Sequence, residues 1–167
     1  MQQYSDIQIR PVKMGDAEAI TGIYNHYIKD TAVSFETETL DASEMAGRIR
    51  DISAHFPYLV CEKNGEILGY CYVHLWKERA AYARTLETTV YLSPDATGQG
   101  LGTRMMNQLI ALCKEQGFHA LVACITEGNA ASIRLHESLG FKQVSCFHEV
   151  GRKFGQWLGV VDMELLL

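Results

Sequence analysis

The chain has 167 residues, 47% of them hydrophobic and 21% charged, which suits a folded domain with a substantial core and argues against disorder. Fifteen Lys and Arg against twenty Asp and Glu give a formal net charge of −5, so there is no global basic field to gather nucleic acid, and no local basic patch stands out. No apolar run reaches membrane-spanning length and the first residues lack the pattern of a secretory signal; the expectation is a single cytoplasmic domain over 1–167, with no membrane or nucleic-acid partner.

In chain order, Ile7 to Arg10 alternates apolar and polar and predicts a strand stopped by Pro11. Asp16 is placed to cap a helix whose apolar stripe is Ile20, Ile23, Tyr24, Tyr27 and Ile28, with Asn25 and His26 off it as a polar surface. Thr31 to Glu38 is a loop with an apolar centre at Val33 and Phe35. Asp41 and Glu44 have capping-box spacing, and Met45, Ile49 and Ile52 mark the buried side of a second helix ending before Pro57.

From Tyr58 to Trp76 the period changes to strands, with Asn64-Gly65 as a hairpin turn between them. The connection from Lys77 to Arg84 carries three cations, a pattern that usually means a solvated loop. A strand follows through Glu87 to Leu92, then a turn with Pro94 and Asp95, then a helix from Leu101 to about Gln116 with Gly117 as its C-cap. His119 to Ile125 reads as a strand buried on both faces, a helix runs from near Asn129 to Gly140, and strands around Phe141 to Glu149 and Leu158 to Leu165 close the chain. Cys61, Cys71, Cys113, Cys124 and Cys146 are odd in number, lack C-x-x-C spacing and lie mostly in apolar runs, as buried reduced thiols do. The histidines form no zinc-ligand spacing with them, and no nucleophile elbow is present, so neither a metal nor serine hydrolysis is expected.

The stretch Glu87 to Thr103 organises the rest. A strand feeds a helix through Gly98-Gln99-Gly100-Leu101-Gly102, and the first turn of that helix offers unpaired amides and a positive dipole end to an anion such as a diphosphate. Dinucleotide and P-loop patterns are both absent, since the spacing is G-x-G-x-G and Thr103 follows with no lysine. Glycine spacing alone is equally that of an ordinary turn.

That strand, Thr97-Gly98-Gln99-Gly100-Leu101-Gly102 and the helix resemble the acetyl-CoA loop of the GCN5-related N-acetyltransferases (GNAT), whose pattern is Arg/Gln-x-x-Gly-x-Gly/Ala. Asn129-Ala-Ala-Ser132-Ile-Arg-Leu-His136-Glu-Ser-Leu-Gly140-Phe141 resembles their second signature. Ile23 to Ile28, Trp76-Lys77, Thr85 to Tyr91 and Gly151 to Trp157 are most similar to the phosphinothricin and methionine sulfoximine acetyltransferases, in order along nearly the whole chain. One departure is Thr97, where the loop pattern has Arg or Gln, which weakens any side-chain contact to phosphate there and leaves the backbone amides.

The resemblance implies a mixed α/β GNAT fold with a splayed, mainly antiparallel central sheet flanked by helices. It implies acetyl-CoA as co-substrate and acetyl transfer to the primary amine of a small amino-acid-like acceptor. The rivals are transfer to peptide N-termini, polyamines or another xenobiotic amine, and a non-catalytic acyl-CoA sensor. An amine attacks a thioester only unprotonated, so a base is needed, and Glu87 aligns with the family's carboxylate; the plainer alternative is a salt-bridged strand acid. Val90 or Tyr91 is the implied oxyanion donor, and Val90 and Leu92 bond the pantetheine arm. The cofactor set is completed by Gly98, Gln99, Gly100, Leu101, Gly102, Thr103 and Asn129, the last equally an N-cap. His136 stands where the family often has a tyrosine near the departing sulfur, as an acid or as a satisfied helix histidine. Phe35, Lys77, Glu78, Arg79, Thr88 and Thr89 are implied on the acceptor side, Lys77 and Arg79 as receivers of a carboxylate. A homodimer is implied, with Lys153 to Trp157 near the interface or the acceptor pocket; by pattern alone that segment is a hairpin with Phe154 and Trp157 packed inward.

Overall fold

The computed structural model describes residues 6–167. Seven strands, β1 (Ile7–Pro11), β2 (Tyr58–Lys63), β3 (Glu66–Leu75), β4 (Thr85–Leu92), β5 (Ala120–Thr126), β6 (Lys142–Lys153) and β7 (Gln156–Leu166), form one sheet in the order β1-β2-β3-β4-β5-β7-β6. Every neighbouring pair is antiparallel except β4 and β5. Four α-helices flank it: α1 (Ala17–Asp30), α2 (Ala42–Ser53), α3 (Leu101–Glu115) and α4 (Ala130–Ser138). None of the helices among the described residues is long and apolar enough to cross a membrane.

The sheet separates two cores. On one face α3 seats Leu101, Met105, Met106 and Leu109 against Leu86, Leu121 and Met163; on the other, α1 and α2 seat Ile20, Met45 and Ile49 against Tyr58, Val60 and Tyr70. Both follow from helical stripes at three- and four-residue spacing meeting alternate positions of the strands. Asn64 and Gly65, at φ 52 and 85, make the expected tight β2–β3 turn.

Asp41 caps α2 as its spacing predicts: Glu44 N–H donates to Asp41 Oδ1 and Asp41 N–H donates to Glu44 Oε2, both at 2.8 Å. Asp16 behaves differently. It precedes α1 without a side-chain cap bond; its carboxylate instead accepts two bonds from Arg10, at 2.8 and 2.9 Å, and one from Lys13 N–H at 2.7 Å. A guanidinium fork outcompetes a helix amide for a carboxylate because the bond is charged on both sides. Asn25 is also more than a surface residue, since its amide exchanges hydrogen bonds with both main-chain groups of Leu40 and ties α1 to the start of α2.

The last hairpin differs from what its pattern alone predicts. Phe154 and Gly155 turn it with positive φ, and Phe154 and Trp157 are 62% and 60% exposed rather than packed inward. Of the cysteines, Cys61, Cys71 and Cys113 are buried, whereas Cys124 and Cys146 reach the surface.

Candidate active site

The parallel register of β4 with β5 runs Thr85↔Ala120, Leu86↔Leu121, Glu87↔Val122 and then stops. Both strands continue, β4 to Leu92 and β5 to Thr126, so the sheet opens into a wedge whose apex is Glu87. The wedge leads into a cleft of about 1070 Å³, large enough for a cofactor and a second molecule.

The ladder on the other side of β4 tells which of its main-chain groups face the opening. Trp76 N–H donates to Thr85 O and Ser93 N–H to Leu68 O. In an antiparallel pair these bonds alternate along the strand, so the odd-numbered residues serve β3 and the even-numbered ones, Val90 and Leu92 included, point toward β5. Past Glu87 no β5 residue stands opposite them in register. Of Val90 and Tyr91, Val90 therefore has the N–H aimed into the wedge. The Leu92 carbonyl already accepts the Tyr27 hydroxyl at 2.6 Å.

Side chains alternate too. Tyr91 packs on Tyr24 and Tyr27 of α1, which puts Glu87 and Thr89 on the α1–α2 face. Thr88 faces the α3 side, buried, with its hydroxyl 3.4 Å from Val122 O. It contributes to the cleft from behind the strand.

Gly98 and Gly100 both have φ 73, and Gly100 is the N-cap of α3 with no side-chain cap. A Cβ at either would meet nothing within 4 Å, so glycine is required there by the left-handed backbone rather than by crowding inside the chain. Gly102 is there for another reason, close packing, because a Cβ would come within 3.3 Å of Leu135 on α4. The helix thus presents its first amides to the cleft with no carboxylate or hydroxyl capping them. Thr97 and Gln99 close the turn beneath, Thr97 Oγ1 donating to Pro94 O at 2.9 Å and Gln99 Nε2 to Asp95 O at 3.0 Å. Gly98, Gly100, Gly102 and Thr103 line the cleft.

Glu87 is half-buried, and that burial raises its carboxyl pKa; the charge of His74 and a hydrogen bond from Cys124 pull the other way. His74 is its register partner on β3, with Nε2 3.9 Å from Oε1. His136 is buried on α4 and its Nδ1 lies 2.8 Å from Ser132 O. A carbonyl only accepts, so Nδ1 carries the proton and Nε2, which has no partner among the described residues, is left as an acceptor. Burial lowers its pKa, favouring this neutral form. Asn129 caps α4 by accepting Ser132 N–H at 3.2 Å while also lining the cleft.

The α1–α2 loop forms the opposite wall. Tyr24 donates to Glu36 at 2.9 Å, Arg48 grips the same carboxylate at 2.6 and 3.1 Å, and Thr126 and Lys153 bond loop carbonyls. Phe35 is both anchor and wall: it lines the cleft, and its ring lies on Gly151 where any Cβ would overlap it. Lys77, Glu78 and Arg79 lie apart, on the exposed β3–β4 connection, with Lys77 Nζ 3.9 Å from the Trp76 ring. None of the three lines the cleft. Conversely, His74, Cys124, Tyr72 and Glu36 line it without having stood out in the sequence. Their signal is the register of β3, β4 and β5, which becomes visible only when the strands are paired.

An anion cradle at a helix start, joined by a half-open strand to a half-buried carboxylate, suits a long phosphorylated cofactor whose reactive end is delivered beside that carboxylate. A family model described as "Acetyltransferase (GNAT) domain" matches residues 9–163. The chain belongs to the GNAT acetyltransferase family. It is 41% identical over 158 residues to a phosphinothricin N-acetyltransferase of Alcaligenes faecalis, covering 93% of this chain and 80% of that one. It is 38% identical over 161 residues to an L-methionine sulfoximine/L-methionine sulfone acetyltransferase of Salmonella typhimurium, covering 95% and 94%. The solved structure of a putative acetyltransferase from Salmonella typhimurium with its cofactor acetyl-CoA superposes with a TM-score of 0.94 at 37% identity, over 98% of this chain and 95% of the other. This GNAT chain is an acetyl-CoA-dependent N-acetyltransferase. Its mostly antiparallel seven-stranded sheet with four helices is the family's fold.

Proposed function

We propose that the enzyme acetylates the α-amino group of a small amino-acid analogue of the phosphinothricin or methionine sulfoximine type, with Glu87 as its base. The observation that carries this reading is the position of Glu87, at the apex of the wedge and on the face opposite the amides that suit the diphosphate. Acetyl-CoA lies along β4 with its diphosphate on the first turn of α3 and its pantetheine arm paired to Val90 and Leu92. The acceptor enters from the α1–α2 side, between Phe35 and Thr89. The Glu87 carboxylate takes a proton from the ammonium, directly or through water, and the freed amine attacks the thioester carbon. Val90 N–H holds the oxygen as it becomes negative. The C–S bond then breaks, and the sulfur leaves with its electron pair and takes, directly or through water, the proton that the attacking nitrogen sheds as it becomes an amide. His136, neutral with Nε2 as acceptor, is better suited to receive the S–H of coenzyme A than to supply that proton. Lys77, Glu78 and Arg79 are left outside the acceptor site.

The test is thiol release over a panel of amines at saturating acetyl-CoA. Phosphinothricin and methionine sulfoximine are expected to outrun polyamines and peptide N-termini by at least tenfold in kcat/KM. Indifference to the acceptor carboxylate would reject the assignment, and cofactor binding without turnover of any amine would favour a sensor.

The same enzyme is proposed to work as a cytoplasmic homodimer. Val144, Phe147, Val150, Phe154 and Trp157 are all more than half exposed on the β6–β7 hairpin, an apolar strip of the kind that a second copy covers.

A further inference from the structure

A second cluster of reactive side chains lies outside the acetyl-transfer machinery. Cys146 and His148 stand two residues apart on β6, a spacing that puts them on one face of the strand. Glu127, at the end of β5, reaches across β7 to meet them. His148 Nδ1 is 3.0 Å from Glu127 Oε1, Cys146 Sγ is 3.8 Å from that oxygen, and Sγ is 3.9 Å from Nδ1. All three residues are exposed.

We propose that Glu127, Cys146 and His148 form a surface site for a borderline-soft divalent cation, zinc above all. A triangle with those three sides has a circumradius of about 2.1 Å, and zinc takes oxygen, nitrogen and sulfur ligands at roughly 2.0–2.3 Å. One cation close to the plane of the three atoms therefore lies within bonding distance of all of them, with at most a rotation of the His148 ring to aim Nδ1. Carboxylate, imidazole and thiolate together favour zinc over magnesium or calcium, which prefer oxygen alone. Water completes the tetrahedron from the solvent side.

The site is held ready by the backbone. Glu127 N–H donates to Gly159 O at 2.9 Å, and the Glu127 side chain lies over Gly159, where a Cβ would collide with the carboxylate. Glycine at 159 thus leaves the path from β5 to β6 open. Binding is balanced by loss of the Cys146 thiol proton to solvent as the Zn–S bond forms, while His148 binds through the Nδ1 lone pair with its proton on Nε2. A cation here would tie the edge strand β6 to the turn that leads, two residues on, to Asn129 in the cofactor cleft.

The test is direct metal binding to the tag-free full chain. Zn²⁺ is expected to bind in one equivalent and to raise the melting temperature, and Co²⁺ to give a thiolate-to-cobalt charge-transfer band in the near ultraviolet. Cys146→Ser should remove the band, and His148→Ala or Glu127→Gln should each weaken zinc at least tenfold. Cys124→Ser, which changes the other accessible thiol, should keep the band. Because the three ligands are exposed, the variants' melting temperatures without metal should match that of the parent chain. Failure of the parent chain to retain zinc at micromolar concentrations, or undiminished retention in Cys146→Ser, would overturn the proposal.

Discussion

His74 and Glu87 face each other across β3 and β4, Nε2 3.9 Å from Oε1. The pair sets the working range of the proposed base. Burial raises the Glu87 pKa and the His74 charge lowers it. A base acts only when deprotonated, so kcat/KM should fall as pH drops through the Glu87 pKa, above the ordinary carboxylate value of 4.5. Histidine is cationic in acid solution, so His74→Phe removes an opposing charge and should move that acid limb to higher pH. A limb left where it was would show that the two residues are not electrostatically linked.

Glu87→Gln keeps the shape and removes the proton acceptor. The expected loss in kcat is about 10²- to 10⁴-fold, with acetyl-CoA affinity by calorimetry within a factor of about two of the parent enzyme. Retained turnover would reassign Glu87 to a structural role.

Gly100→Ala places a side chain at φ 73, a conformation that costs an L-residue about 1–2 kcal/mol. Its Cβ meets no atom of the chain within 4 Å, so the effect on the cofactor is separable from packing. Acetyl-CoA affinity should fall by an order of magnitude or more, while the acceptor KM, measured at saturating cofactor, stays the same.

The Arg10–Asp16 pair predicts how the fold responds to acid. Arg10 hydrogen bonds hold the Asp16 pKa below its ordinary value of 3.8. A depressed carboxylate stabilises the fold fully above the unfolded pKa, and that contribution is lost as pH falls through the folded one. Asp16→Asn should therefore cost about 2 kcal/mol at neutral pH, since Arg10 keeps Glu62 as a partner at 2.6 Å. Urea unfolding across the acid range should show the gap between variant and parent closing as pH falls below 3.8.

What the sequence revealed was local chemistry. The Asp41–Glu44 cap, the Asn64-Gly65 hairpin and the glycine turn ahead of α3 depend on neighbours a few residues apart, and each is present in the structure. What it concealed depends on partners far along the chain. Asp16 has a good capping position, yet Arg10 arrives from β1 and takes its carboxylate. His74 and Cys124 flank Glu87 only after three strands are set in register. Phe154 and Trp157 look like core residues because apolar character does not say which face of a hairpin is covered. Lys77 and Arg79 carry the right charge for a carboxylate, but the connection that bears them does not line the cleft.

Gly151 offers a way to disturb the acceptor side alone. The Phe35 ring lies against it, and any Cβ built there overlaps the ring atoms. The backbone at 151 lies outside the positive-φ region, so Gly151→Ala is not strained by its own dihedrals; the strain falls on the contact. The ring is half-exposed and can move toward solvent, shifting the wall of the cleft that faces Glu87 and Thr89. The expected result is an acceptor KM raised about tenfold with kcat less affected, an acetyl-CoA affinity unchanged, and a stability loss under about 1 kcal/mol because little buried area is given up. Phe35→Ala should raise acceptor KM in the same way, and adding Gly151→Ala to it should do little more, because the overlapping ring is already gone. Full additivity of the two substitutions would show that Phe35 and Gly151 act on the acceptor separately.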